Sequence, residues 1–404
     1  MSGLMSLDKA VRTLLESLSK LEETESVPLI DCVGRVLTED LIAPINVPPY
    51  TNSAMDGYAL RSSDLEPAPT MLNISQRIIA GSLGTELLKG EAARIFTGAP
   101  LPDGADCVAM QENCIVNGEK VEVLDKLNSG DNLRFAGEDI KIGSTLLESG
   151  VRLAPQDIGL AASVGLARLS VKRRLRVALI STGNELIQPG EQLLPGQIYN
   201  SNLYSLSALL KGMSCEIVYS GIVRDDFEET KKLLLETALE ADCIITTGGV
   251  SVGEEDHVKA AIEANGYLDL WKLAIKPGKP FASGKIKGTQ VFGLPGNPVS
   301  AFVTFLLLVK PCLLSILGCN DGQAQGQAVK AHFSVGSASD RQEYLRVSLQ
   351  LDDRGIASMT PYQNQSSGVG ASLAKADGFA VVPPHTKVSQ GDYLEFISFA
   401  ELLR

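Results

Sequence analysis

Between residues 175 and 317, short β-rich runs alternate with helical ones, and that alternation points to a parallel sheet carrying helices on both faces. The run Leu175-Arg-Val-Ala-Leu-Ile180 reads as a buried strand. A helix with Leu203, Leu206, Leu209 and Leu210 follows and stops near Gly212. Residues 216–223 form the next strand, a helix containing Leu233, Leu234 and Leu235 the next crossover, and Cys243-Ile-Ile-Thr-Thr247 the third strand. A helix is expected over 256–264, strands over 267–275 and 289–294, and a last helix opening at Pro298, a residue suited to a first helical turn. Three β-α units define a doubly wound α/β domain.

The flanks read differently. Residues 43–143 are rich in Gly, Pro and Val, with turn signals at Pro102-Asp-Gly104 and Asn117-Gly118, and are expected to form a β-rich inserted domain. The segments on either side of it, 24–42 and 144–174, would pair into a connecting domain. Residues 1–23 carry an amphipathic helix with Leu7, Ala10, Val11, Leu14, Leu15, Leu18 and Leu21 on one stripe, and are grouped with 175–323 in the α/β domain. Short strands with Gly and Asp turns over 324–404 predict a C-terminal β-barrel.

Composition removes several classes of function. With 36 Lys plus Arg against 48 Asp plus Glu, the 404-residue chain carries a formal charge of -12, which disfavours a sequence-independent grip on nucleic acid or anionic lipid. The longest apolar stretch, 301–309, stops at Lys310-Pro311, about half the roughly 20 residues of a membrane span, so no bilayer crossing is expected. The first residues lack the charged region and cleavage site of a secretory leader, which favours a cytoplasmic protein. Seven cysteines include no C-x-x-C pair and are read as reduced thiols. Cys312 and Cys319 share a helix face without further ligands nearby, so zinc is unsupported. Three scattered histidines offer no H-E-x-x-H motif.

In an open α/β sheet, ligands bind outside the carboxyl ends of the strands, where loops meet helix N-termini. The unusual sequences fall there: Ser181-Thr-Gly-Asn-Glu185, Arg224-Asp-Asp226, residues 248–256, Lys276-Pro-Gly-Lys-Pro280 and Gly293-Leu-Pro-Gly-Asn-Pro298. The glycine loop is neither a Walker A sequence nor G-x-G-x-x-G, so ordinary nucleoside triphosphatases and dinucleotide dehydrogenases recede. Gly249-Val-Ser-Val-Gly253 matches the nucleophile-elbow pattern of serine hydrolases, but the only histidines far enough on to serve as base, His332 and His385, both fall in the separate C-terminal region. Gly248, Gly249 and Gly253 with the Ser251 hydroxyl suit a phosphate, and a tight turn explains them as well. Glu185, Asp225 and Asp256 sit past strand ends as oxygen ligands for a hard cation, or as helix N-caps. Lys276 and Lys279 flank a rigid Pro277-Gly278, two cations whose repulsion an anion would relieve. Residues 51–58, 94–100 and 134–140 are loops in which Asp56, Thr97 and Asp139 are hydrogen-bonding groups or turn formers.

Taken in order, residues 52–58, 97–100, 137–139, 181–183, 248–253, 276–280 and 294–298 resemble the molybdopterin molybdenumtransferase family, which includes the carboxy-terminal part of gephyrin, over essentially the whole chain. The resemblance implies a four-domain homodimer with a molybdopterin-adenylyltransferase-type α/β domain. It further implies a Mg2+-dependent reaction of adenylylated molybdopterin with molybdate, giving molybdenum cofactor and AMP. Glu185, Asp225 and Asp256 match the family's carboxylates at the adenylylate and cation site. Gly248, Gly249, Ser251, Gly253, Pro295 and Pro298 match its substrate loops. Lys272, Lys276 and Lys279 match basic positions, the last two of an oxyanion pocket, and Arg346 and Ser367 fall near further molybdate contacts. Asp56, Thr97 and Asp139 match functional positions of the inserted domain, which in the family faces the partner subunit, so the active site would be shared. Molybdopterin adenylyltransferase and apo-molybdoenzymes are the further partners implied. Two positions depart from the pattern: Asn184 and Asn200 each replace a frequent Asp and remove a charge. Adenylyl transfer from ATP and a gephyrin-like scaffold are the competing functions.

Overall fold

The structure, a computed structural model, describes residues 3–66, 68–249, 257–320 and 324–403. Its central sheet has the spatial order Cys215–Val223, Leu175–Thr182, Cys243–Thr247, Thr289–Leu294, Pro280–Ile286, Gly266–Lys272. The first four strands run parallel, and the near-continuous burial of the inner three, complete along Cys243–Thr247, is what covering both faces with helices requires. One face buries Leu203, Leu206 and Leu210 of the helix Ser201–Gly212 together with the helical run 298–316 and Ala10, Val11 and Leu14 of the helix Leu7–Ser17. The other buries Leu234 and Ala238 of Phe227–Glu240 and Val258, Ala261 and Ile262 of His257–Glu263.

The sheet is mixed, because its last two strands are antiparallel. Pro280–Ile286 is a strand that the sequence reading left unassigned, since Pro280, Gly284 and Lys285 are poor strand formers. Its glycine is structural: a Cβ on Gly284 would lie 2.0 Å from the Tyr267 carbonyl of the neighbouring strand. The strand expected over 267–275 ends at Lys272, and Ile275–Lys276 joins a different sheet. The helix opening at Pro298 continues through Pro311 to Ile316, twice the length of the apolar run counted from sequence. A π-helical segment, Phe305–Val309, lies just ahead of the proline and accommodates its missing N–H. This 19-residue run is apolar and long enough to span a bilayer, yet it is 72% buried within the protein, as a core helix is.

Residues 327–398 close into a five-stranded barrel, Gln342–Leu351, Ala357–Pro361, Gln327–Ala331, Tyr393–Ser398 and Gly378–Val382, the last pairing back with the first. Ile275–Lys276 adds to this barrel as a parallel partner of Gln342 and Glu343, so the two domains share backbone hydrogen bonds as well as the core around Tyr344 and Phe379. The inserted region holds a six-stranded sheet, Cys107–Met110, Gly57–Leu60, Glu91–Ile95, Thr70–Ile78, Lys120–Val123, Cys114–Asn117, buried on both faces. Between these bodies, Thr24–Pro28 pairs with Arg168–Lys172 and Leu41–Ile42 with Thr145–Leu147 over a small core containing Cys32, Leu37 and Val171.

A partly buried ion pair ties the entry to the α/β domain. Arg173 donates from Nη1 and Nη2 to Oδ2 and Oδ1 of Asp242 at 2.7 and 2.8 Å, and the Arg176 N–H adds a third bond at 2.7 Å. Burial alone would raise the Asp242 pKa, but these bonds outweigh it and hold the carboxyl below its ordinary 3.8. The pair therefore stabilises the fold fully above that value and loses its effect as pH falls through the depressed folded value. Asp242→Asn is expected to cost about 1–3 kcal/mol at neutral pH, and urea titrations should find the deficit shrinking in acid.

Candidate active site

The strand order reverses between Leu175–Thr182 and Cys243–Thr247: the chain leaves the first strand for one side of the sheet and returns to the other. In open α/β sheets the loops beyond such a pair of ends diverge, and ligands bind in the crevice between them. The ends themselves are locked by a 2.8 Å hydroxyl–hydroxyl bond between buried Ser181 and Thr247. Gly248 and Gly249 follow with φ of 85° and 64°. A Cβ on Gly248 would stand 2.8 Å from the Thr182 carbonyl, and one on Gly249 2.5 Å from Val258 Cγ2, so backbone geometry and space both demand glycine. The Gly248 N–H donates to the Leu294 carbonyl at 3.1 Å, drawing the loop toward Pro295 and Gly296. Ser251, Gly253 and Asp256 lie outside the described residues.

Asp225 and Glu185 stand at this edge. The N-cap of Phe227–Glu240 is Asp226, whose Oδ1 accepts from the Glu229 N–H at 2.8 Å. Asp225 is thereby released from capping. Instead its Oδ2 accepts from the Asn184 N–H at 3.2 Å, while Asn184 Oδ1 accepts from the Asp225 N–H at the same distance. This reciprocal pair bolts the loops after two neighbouring strands together. Glu185 folds back over Gly183, where a Cβ would sit 2.5 Å from its Oε2. Asn200, the second departure, is the N-cap of Ser201–Gly212: Oδ1 accepts from the Leu203 N–H at 3.1 Å, and Nδ2 is buried without a partner. Both asparagines thus do local work that needs an acceptor and no charge. Asn202, unremarked in the sequence, donates from Nδ2 to the Gly296 carbonyl at 2.7 Å and fixes the last loop of the crevice.

The basic loop follows. Lys276 Nζ lies 3.0 Å from Oε1 of Glu343, a half-exposed cation on a nearly buried carboxylate. Lys272 and Lys279 are exposed and have no carboxylate partner among the described residues. The Lys279 carbonyl accepts from the Leu273 N–H at 2.7 Å, which closes the loop on itself. Glu343 gave no sequence signal, because only the register of strand Gln342–Leu351 against Ile275–Lys276 brings it there. Pro298 opens its helix, and the Ser367 carbonyl accepts from the Val299 N–H at 3.0 Å, so a barrel loop satisfies one of the helix's orphan donors. Arg346 is 1% exposed: Nε donates to Ser372 Oγ at 3.1 Å and Nη2 to the Ser366 carbonyl at 3.2 Å. Burial pulls its pKa down to about 10, which leaves it a cation at neutral pH.

In the inserted domain, the three dense segments converge at one end of the sheet. Asn52–Ser53 pairs with Leu133–Arg134, and the Ser53 and Gly98 N–H groups bond across to Ala99 and Ser53. Asp56 Oδ1 accepts from both the Thr97 N–H, at 2.8 Å, and the Thr97 hydroxyl, at 2.9 Å. Those bonds hold the Asp56 carboxyl below the ordinary range, with Arg94 adding a smaller Coulombic contribution. Asp139 is exposed, and its N–H donates to the Val47 carbonyl at 3.0 Å. The hydrogen bonds of Asp56, Thr97 and Asp139 all stay within this part of the chain.

Carboxylates at a switch point, a basic loop braced by a barrel, and a separate polar cluster on an inserted sheet define a multidomain α/β protein whose polar loops gather at the sheet's carboxyl edge. Residues 178–315 match a family described as a probable molybdopterin binding domain, residues 5–165 the MoeA N-terminal region (domain I and II), and residues 328–399 the MoeA C-terminal region (domain IV). The molybdopterin molybdenumtransferase of Haemophilus influenzae is 38% identical over 99% of this chain and all of its own length. Molybdopterin molybdenumtransferase 2 of Mycobacterium tuberculosis is 36% identical over 92% of this chain and 94% of its own. A molybdopterin biosynthesis moeA protein from Pyrococcus horikoshii, at 30% identity, superposes with a TM-score of 0.83 over 98% of this chain and the whole of that one. The chain belongs to the molybdopterin molybdenumtransferase family, whose members are transferases.

Proposed function

We propose that this protein inserts molybdenum into molybdopterin, taking adenylylated molybdopterin and molybdate to molybdenum cofactor and AMP. The observation that carries the reading is the freed Asp225, released from helix capping by Asp226 and locked to Asn184 beside Glu185 at the sheet's carboxyl edge. Among the described residues no cluster of three His, Cys, Asp or Glu groups forms a self-sufficient metal cage. Two hard carboxylates at the sheet's carboxyl edge nevertheless fit Mg2+, which binds through one or two carboxylates, water and substrate phosphates. Glu185 and Asp225 would hold it, with Asp256 as a third candidate. When bound, Mg2+ supplies charge neutralisation at the phosphate linkage.

The glycines at 248 and 249 let a phosphate approach the backbone without a side chain in the way, and Lys276 and Lys279 attract the molybdate dianion. Glu343 keeps Lys276 placed while partly neutralising it, and the exposed Lys279 retains full charge for the anion. Asp56, Thr97 and Asp139 contribute from the inserted domain of the partner subunit in a cytoplasmic homodimer. Molybdopterin adenylyltransferase would deliver the substrate and apo-molybdoenzymes receive the product.

AMP release from adenylylated molybdopterin with Mg2+, with and without molybdate, tests the reading. Molybdate-dependent release, with product that reconstitutes an apo-molybdoenzyme, is the expected result. ATP consumption instead would favour adenylyl transfer, and no reaction by a folded protein would favour a scaffold. In the same assay Lys276→Ala should raise the molybdate requirement on the order of ten-fold with little change at saturation. An unchanged molybdate dependence removes Lys276 from the pocket.

A further inference from the structure

Arg94 lies next to the Asp56–Thr97 pair. It belongs to Glu91–Ile95, where it pairs across the sheet with Tyr58 while Gly57 pairs with Ile95. Its Nη1 donates to the Gly57 carbonyl at 2.8 Å, and also reaches the Ile95 carbonyl at 3.4 Å. Its Nη2 donates to Gln111 Oε1 at 2.7 Å, and the Gln111 N–H in turn donates to the Asp56 carbonyl at 3.0 Å. The guanidinium carbon sits 4.5 Å from the Phe96 ring centroid and 5.2 Å from that of Tyr58. One planar side chain therefore grips the residue after Asp56, the two residues before Thr97 and the backbone of Asp56 through Gln111. A fork of fixed geometry is the group that can do this, and a lysine is not.

We propose that Arg94 is the positioning residue of the Asp56–Thr97 pair, fixing the two strand ends so that Asp56 spends one carboxylate oxygen on Thr97 and keeps the other for the reaction. The proposal rests on the reading that Asp56 takes part in molybdenum transfer. Among the described residues Oδ2 of Asp56 has no hydrogen-bond partner, and Oδ1 takes both bonds from Thr97. The charged groups around the pair are Arg94 itself, Arg77, whose guanidinium carbon lies 4.9 Å from the Phe96 ring centroid, and Glu112, which accepts from Gln111. Gly57 completes the arrangement: a Cβ there would fall 1.9 Å from the Ala109 carbonyl, so the adjoining strand can close up beside Asp56 only against glycine.

The test uses the full-length protein and two readouts. One is molybdate-dependent AMP release across pH. The other is the Thr97 amide resonance in deuterated, 15N-labelled protein, which reports the Asp56 carboxylate that it donates to. Arg94→Met should move the acid titration of that resonance upward and lower kcat on the order of ten-fold or more, leaving the KM for molybdate nearly unchanged. Arg94→Lys should restore the titration, because the charge returns, while kcat stays low because the fork does not. Arg77→Met should leave both readouts close to the parent's. Full turnover by Asp56→Asn would overturn the underlying reading of Asp56. With Asp56→Asn inactive, a folded Arg94→Met of normal turnover and normal Thr97 titration would overturn the role of Arg94 alone. If Arg94→Met does not fold, Arg94→Lys decides: unimpaired kcat refutes the positioning role.

Discussion

Asp225→Ala is expected to lower molybdate-dependent AMP release by about a hundred-fold or more while the protein stays folded. Three facts set that expectation. Asp225 does not cap its helix, so its loss leaves the Asp226 bond to Glu229 in place and the helix Phe227–Glu240 intact. Its side chain is only partly buried, so truncation opens no cavity and the stability cost stays small. What disappears is one negative charge and the acceptor for the Asn184 N–H. Asp225→Asn separates the two. It keeps an oxygen for Asn184 and removes only the charge, so it should be nearly as inactive as the alanine variant if charge at the phosphate linkage is what matters. Recovery of most of the activity in Asp225→Asn would reduce Asp225 to a loop fastener. A circular dichroism melt matching the parent's would exclude unfolding as the cause.

The same residues mark how far sequence can be read. The parallel half of the sheet was legible because Val177–Ile180 and Cys243–Ile245 are apolar runs inside short β-rich segments, as a doubly covered sheet requires. The antiparallel edge was not, since Pro280–Ile286 lacks strand propensity and is held by its neighbours rather than by its own preferences. Asp225 read equally as a cation ligand or a helix N-cap, and the structure gives the cap to its neighbour Asp226. The two asparagines looked like losses of charge, whereas each occupies a site where an amide serves: Asn184 toward the Asp225 backbone and Asn200 as an N-cap. Glu343 and Asn202 were invisible because their roles depend on contacts 67 and 94 residues away in the chain. A pattern of period two or 3.6 carries no information about such partners.

Arg346 gives the second large expected effect, and its route is mechanical. It sits on the barrel strand Gln342–Leu351 with its side chain turned inward, fully buried, and no carboxylate pairs with it among the described residues. Its charge is instead distributed over oxygens of its own domain: Ser372 Oγ, the Ser366 carbonyl and, at 3.5 Å, the Tyr344 carbonyl. Gln365 grips its backbone from both sides, accepting from the Arg346 N–H at 3.0 Å and donating to its carbonyl at 2.9 Å. Arg346 therefore anchors the loop that carries Ser366 and Ser367, and the Ser367 carbonyl in turn holds the Val299 N–H at the start of the core helix. Arg346→Ala would leave a cavity and unsatisfied oxygens, at a cost on the order of 3 kcal/mol to the barrel and its dock. Hydrogen exchange at the Val299 amide should accelerate, because its acceptor comes loose, and turnover should fall at least ten-fold as the loop leaves the crevice. Arg346→Lys should recover little, since one ammonium cannot reach three divergent acceptors. A variant whose Val299 amide stays as protected as the parent's, yet whose molybdate requirement rises, would show Arg346 acting on the anion itself and not on the loop.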